Sequence, residues 1–261
     1  MLLAALLWVL TVAICYFFFA KIWWFPPPIN QHGLDYDSQF GRTLLICGII
    51  FFFAQMALAW VMVRYRKRGA PARYSHGSGK AEALWTGGTA IVFLALVAMG
   101  SRIWANVHYD EAPPDAIVIE AMAKQFAFNF RYPGTDGKFG RTELKRVNDA
   151  AGDPFGIDPT DPTGKDDIFS ASLKIPAGRP IKLILRSRDV IHNFFVPELR
   201  LKQDMVPGMD IPLHFHADKP GIYEVPCSEL CGLGHFQMHT TMQVMSLDEY
   251  ERWKQQQAAN R

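Results

Sequence analysis

The chain has 261 residues, room for one large domain or two ordinary ones, and a formal net charge of +2 with no long basic run outside one short loop. That balance excludes a nucleic-acid footprint, so nucleic acid is not an expected partner. Apolar residues crowd the N-terminal part, whereas Pro, Gly, Asp and charged residues dominate the rest. The chain therefore divides near Trp104 to Pro113 into a lipid-soluble region (1–105) and a water-soluble region (106–261).

Three runs, 2–20, 43–63 and 83–101, lack any charged residue, and each is close to the roughly 20 residues needed to cross a bilayer core of about 30 Å. Trp23 and Trp24 follow the first run, Trp60 and Tyr65 close the second, and Trp104 closes the third, as interfacial aromatic anchors would. The lipid bilayer is thus an expected partner.

Arg64, Arg66, Lys67, Arg68, Arg73 and Lys80 crowd the second connection, while Lys21 and Arg42 are the basic residues of the first. Retention of positive charge on the cytoplasmic side puts the basic loop inside, so the third span delivers the C-terminal region to the external face. The expected localisation is a multi-pass plasma (inner) membrane protein with an extracytoplasmic, periplasmic C-terminal domain. The first run reads as a retained helix rather than a signal peptide. It has no basic leader, Phe18 stands where a small residue would precede cleavage after Ala20, and Ile14 before Cys15 spoils a lipoprotein site.

After the boundary, 116–132, 172–175, 181–187, 211–217, 221–226 and 240–246 are short runs rich in apolar, β-branched or aromatic residues. Pro133-Gly134, Pro176-Ala177-Gly178, Pro207-Gly208 and Pro220-Gly221 punctuate them, which predicts an all-β sandwich or barrel. Residues 247–259, rich in Glu, Lys and Gln, predict a helix. Between the strands, 134–168 is dominated by Gly, Pro and Asp without apolar periodicity and reads as a long inserted loop.

The chemistry concentrates in Cys227-Ser-Glu-Leu-Cys231-Gly-Leu-Gly-His235-Phe-Gln-Met238. Thiolate, imidazole and thioether together form a ligand set for copper, because soft sulfur stabilises Cu(I) while imidazole suits both valences. One Cys with Met and two His would make a mononuclear site; the second thiolate lets two cysteines bridge two copper ions. His192, in Val190-Ile-His-Asn-Phe-Phe-Val196, is the candidate second imidazole. The blander alternatives are a Cys227–Cys231 disulfide and a satisfied core histidine, but joint occurrence of Cys, Cys, His and Met in one short stretch argues against both. Zinc is disfavoured because Met is a poor zinc ligand. Cys15 and Cys47 lie inside apolar runs and read as small packing residues.

On this motif, and on the preceding spans, residues from about 43 to 254 resemble subunit II of the haem-copper oxidase (cytochrome c oxidase) family. The resemblance implies N-terminal transmembrane helices followed by a cupredoxin-like sandwich with a binuclear CuA centre. It further implies that Cys227 and Cys231 bridge the coppers, His192 and His235 are terminal ligands, Met238 is a weak ligand to one ion, and the Glu229 carbonyl is one to the other. The Glu229 carboxylate would bind magnesium or manganese at the subunit interface, a hard-cation assignment consistent with oxygen donors. Lys202 and Asp204 would sit near haem propionates, and Glu82 at the inner mouth of a proton channel. A polar turn and an ordinary interfacial carboxylate are the plainer readings of these.

The family's aromatic electron-entry motif is replaced by Gln125-Phe-Ala-Phe128-Asn-Phe130. Phe126 and Phe128 are the candidates for that role, although alternation of Phe126, Phe128 and Phe130 on one strand face is more simply core packing. Implied partners are catalytic subunit I, subunit III and a c-type cytochrome or other external donor, with electrons leaving toward dioxygen reduction and proton translocation. A haem-copper nitric oxide reductase would share every ligand. A quinol oxidase subunit would lack them, and a membrane-anchored copper-delivery protein would expose one labile ion in a Met-rich site.

Overall fold

A computed structural model describes residues 2–66, 74 and 76–259. It divides into two units, Met1–Phe25 with Asp35–Arg102, and Pro26–Leu34 with Ile103–Arg261.

The first unit contains α1 (Leu2–Phe19) and most of α2 (Gln31–Arg64) and α3 (Gly79–His108), all three long and apolar enough to cross a membrane. The latter two are longer than the charge-free runs that predicted them, with 34 and 30 residues, or about 50 and 45 Å of helix. Hydropathy marks only the lipid-soluble stretch, whereas the helix itself starts where its first amides find a cap. The Asn30 side chain accepts from the Gly33 N–H at 2.8 Å, directly after the Pro26-Pro27-Pro28 run that cannot be helical. Lys67, Arg68 and Arg73 of the basic loop lie outside the described residues.

The second unit is a β-sandwich. One sheet has five strands in the order β3 (Ile168–Ser170), β2 (Ala127–Tyr132), β1 (Ile117–Lys124), β5 (Ile181–Ser187) and β8 (Ile211–Phe215). The other face carries β4 (Leu173–Pro176), β10 (His239–Met245) and β9 (Gly221–Pro226), with the pair β6 (His192–Val196) and β7 (Leu201–Met205) beside β9 through a Phe194–Cys227 bridge. In β5, Ile181, Leu183, Leu185 and Ser187 point inward at every second residue, as period-two patterning requires. They meet Phe194, Val196, Leu213, Val225 and Met242 in one core.

Two sequence expectations need correction here. The run 116–132 is two antiparallel strands, not one, because Gln125 and Phe126 form the turn between them. Strands β3, β6 and β7 were not anticipated; Leu201-Lys-Gln-Asp-Met205 is buried only at its ends, so its polar centre hides the alternation. The predicted C-terminal helix is present as α4 (Leu247–Ala259). It starts with a reciprocal capping box, in which Ser246 Oγ accepts from Glu249 N and the Glu249 carboxylate accepts from Ser246 N. Its Trp253 packs edge-on against Tyr132 at 4.9 Å.

Residues 133–167 join β2 to β3 without a named strand, and three of their aspartates organise the loop itself. Asp153 accepts from the amides of Phe155, Gly156 and Ile157, Asp158 from Thr160, and Asp161 from Thr163 and Arg141. The loop is anchored by buried Arg131, which donates to Glu120, Asp167 and the Gly140 carbonyl and lies under the faces of Phe139 and Phe155.

The connection between α1 and α2 is part of the same unit. Ile29 N donates to the Glu198 carbonyl at 3.1 Å, the Ile29 carbonyl accepts from Asp218 N at 2.9 Å, and Asn30 Nδ2 donates to the His216 carbonyl at 3.1 Å. The Ile29 side chain is buried in the β-domain core.

Candidate metal centre

The β9–β10 hairpin carries the late ligand segment as its loop. Cys227 follows the last residue of β9, Met238 precedes the first of β10, and Cys227 N donates to the Met238 carbonyl at 2.9 Å, closing the loop at its neck. Gly232, at φ +134°, adopts a backbone conformation that L side chains rarely take, which lets the chain fold back toward His235. His192 arrives separately, as the first residue of β6.

Three ligand atoms converge: a ring nitrogen of His192 and the sulfurs of Cys227 and Cys231 lie within 4.8 Å of one another, the one such His/Cys/Asp/Glu group found among the described residues. His192 is fully buried, and the two cysteines are 7% and 5% exposed. Both thiols are free, with sulfurs 3.9 Å apart, nearly twice a disulfide bond. His235 Nδ1 stands 3.6 Å from the Cys231 sulfur and the Met238 sulfur 3.7 Å from it. The Glu229 carbonyl lies 3.2 Å from the Cys227 sulfur, so this main-chain oxygen also faces the cluster, while the Glu229 side chain is exposed.

The polar surroundings decide which atoms are offered. Asp189 Oδ1 lies 2.8 Å from His192 Nε2. A carboxylate accepts only, so Nε2 carries the proton and Nδ1 is left as the lone-pair nitrogen. That Nδ1 is buried without a hydrogen-bond partner. Burial works to raise the Asp189 carboxyl, but hydrogen bonds from Gln125 N–H, His192 and Val190 N–H outweigh it and hold the group below the usual carboxylate range. Burial, together with the charge and hydrogen bond of Cys227, pushes the Cys231 thiol up to about 11. Two sulfurs this close cannot both ionise cheaply without a cation between them. Soft sulfurs, a bare imidazole nitrogen and a thioether therefore fit copper.

The remaining predicted residues fall elsewhere. Phe126 occupies the β1–β2 turn, 39% exposed, with its ring against Gly232 and over Gly234 of the ligand loop, where a Cβ on Gly234 would collide with it. Phe128 and Phe130 are buried in the core, so the expected common face of the three rings is broken at the turn. Asp204 on β7 is exposed and accepts from Asn193 Nδ2 at 2.6 Å, next to His192, and Lys202 is exposed on the same strand. Glu82 is exposed in the first turn of α3, where a carboxylate suits the helix dipole. Asp189 and Gln125 were not singled out from sequence; the one available cue was an aspartate one helical-type turn before the candidate histidine.

Comparison with known proteins bears on the family of the chain. The family profile described as "Cytochrome C oxidase subunit II, periplasmic domain" matches residues 165–245. The chain is 33% identical to the "Alternative cytochrome c oxidase subunit 2" of Bradyrhizobium diazoefficiens, covering 98% of this chain and 92% of that one. It is 29% identical to cytochrome c oxidase subunit 2 of Thermostichus vulcanus, over 90% of this chain and 78% of the relative. Among solved structures, the periplasmic domain of subunit II of the Bradyrhizobium japonicum cytochrome oxidase is similar at 25% identity with a TM-score of 0.42, covering 57% of this chain and 99% of that domain. With its apolar helices, its cupredoxin-like sandwich and a Cys/His cluster suited to copper, this chain belongs to the cytochrome c oxidase subunit II family, a component of an oxidoreductase complex.

Proposed function

We propose that the chain is the electron-receiving subunit of a haem-copper oxygen reductase, taking electrons from an external donor, a c-type cytochrome, and passing them to haem in the catalytic subunit for dioxygen reduction coupled to proton translocation. The carrying observation is the convergence of buried His192, Cys227 and Cys231 from two separate segments, with Met238 and His235 against Cys231. A pair of copper ions held by these residues would supply reversible one-electron exchange.

The chain's own contribution is a rigid, dry setting. The ligands sit at the end of one hairpin and the start of one strand, on a β scaffold that leaves little room for rearrangement when charge changes. Burial of both sulfurs and of His192 excludes water, which speaks against a delivery protein with an exposed labile ion. The exposed Phe126 ring over the ligand loop is the electron-entry position we favour, since Phe128 has no surface edge. The exposed Glu229 carboxylate is free to bind magnesium or manganese with the catalytic subunit, and Lys202 and Asp204 to face the haem propionates. Glu82 is proposed at the proton-channel entrance, and subunit III as a further partner.

Orientation is supported by two independent features. Basic residues crowd the connection between α2 and α3. In addition, the connection between α1 and α2 is hydrogen-bonded to the β domain, so the two share one side of the bilayer. Both agree with a periplasmic β domain and a cytoplasmic basic loop.

Purification of the complex from native membranes, with copper counting and EPR spectroscopy, tests the reading. Two coppers per chain sharing one unpaired electron, in a preparation that consumes oxygen with reduced cytochrome c, are expected. A single copper, or a Cys227–Cys231 disulfide in the metal-replete protein, would overturn it, and turnover with nitric oxide in place of oxygen would reassign the acceptor.

A further inference from the structure

The two ligand-bearing segments are tied together by a third element that supplies no ligand. Gln125, in the β1–β2 turn, uses both of its donors for this. Its backbone N–H donates to Asp189 Oδ2 at 2.7 Å, and its side-chain Nε2 donates to the Cys231 carbonyl at 2.6 Å. Asp189 in turn holds His192 through its other oxygen at 2.8 Å, and that same oxygen accepts from Val190 N. An unbroken path of hydrogen bonds thus runs from Cys231 through Gln125 and Asp189 to His192 without crossing the space between the ligand atoms.

The glycines of the ligand loop make this approach possible. A Cβ on Gly232 would stand 2.8 Å from Gln125 Nε2 and 3.2 Å from the Phe126 ring, so a side chain there would crowd the Gln125 amide where it meets the loop. Gly234 is pressed by the Phe126 ring in the same way. The turn is therefore seated on the loop at two points, one polar and one aromatic.

We propose that Gln125 and Asp189 are positioning residues that act as one clamp, fixing the His192 ring and the Cys231 main chain relative to each other and so setting the geometry and electronic character of the copper pair. The proposal rests on the copper reading above. Removing a hydrogen-bonding partner just outside a metal's ligands lowers metal affinity by about 10–100-fold where such partners orient the ligands. It should alter the spectrum as well as the affinity.

The test uses the intact oxidase complex carrying Gln125→Leu, Asp189→Asn, both together, or Phe128→Leu as a control that loosens the core without touching either hydrogen bond. Expected for each clamp variant are two coppers per chain, a shifted reduction potential and altered hyperfine splitting, and copper removal by chelator about 10-fold or more faster. The double variant should fall well short of the product of the two single effects, because both residues serve one path. Phe128→Leu should lower the melting temperature while leaving potential and splitting unchanged. Unchanged spectra and chelation rates in both single variants, or effects that multiply, would overturn the clamp while wild-type protein still holds two coppers. Wild-type protein without a copper pair would instead overturn the reading on which it rests. Should Asp189→Asn fail to assemble, Gln125→Leu, which removes only the Cys231 contact, decides the matter by the same readouts.

Discussion

Phe126 and Phe128 stand two positions apart yet do opposite work, because the turn at Gln125 and Phe126 reverses the chain between them. Phe128, 2% exposed, is structural: Phe128→Ala should cost about 3–5 kcal/mol in denaturant unfolding of the β domain. Phe126→Ala should cost under about 1 kcal/mol by the same measurement, while slowing reduction by external cytochrome c in stopped-flow traces. At the cluster itself, the proposed copper pair makes a specific prediction: Cys231→Ser, which replaces one of the two converging sulfurs, should yield a product that binds one copper and shows the EPR splitting of a single nucleus. The cluster was legible in the sequence because Cys227, Cys231, His235 and Met238 fall in one loop, where their chemistry is conspicuous. Asp189 and Gln125 were not, since their roles depend on a contact across 64 residues that only the folded turn creates.

Among the elements, the long segment 134–168 is moored by the buried Arg131 ion pairs as well as by the buried Phe155. Arg131→Met would leave Glu120 and Asp167 without the guanidinium that joins them, a loss of about 3–5 kcal/mol. Limited proteolysis should then cut within 134–168 while the sandwich survives. Acid should loosen the same segment. Hydrogen bonds from Lys124 and Arg188 hold the Asp149 carboxyl low, those from Thr160 do so for Asp158, and those from the Arg141 amide and Thr163 bring Asp161 to about 2. Because these groups bind protons less readily folded than unfolded, their contribution is complete above about pH 4 and drains away toward about pH 2. Hydrogen exchange across 134–168 should rise over that window before the core strands exchange. The sequence marked this segment as a loop from its Gly, Pro and Asp content, but composition carries no sign of the buried Arg131 to which it is moored.

For the whole molecule, the charge-free runs located all three helices and the turn dipeptides separated most of the strands. Helix ends were misjudged where capping rather than hydropathy sets them, as at Asn30. The attachment of Ile29 to the β domain had no sequence signature, because a Pro-rich connector gives no strand periodicity. Ile29→Ala should cost about 2 kcal/mol or more, read as a lowered melting temperature of the β domain in the detergent-solubilised complex. This attachment also bears on biogenesis. The ribosome makes residues 26–34 before the second and third crossings, whereas the surface that receives them is made last. The early segment can dock only once that late surface has been made. A soluble fragment cut at residue 106 would therefore be a domain missing one of its own pieces.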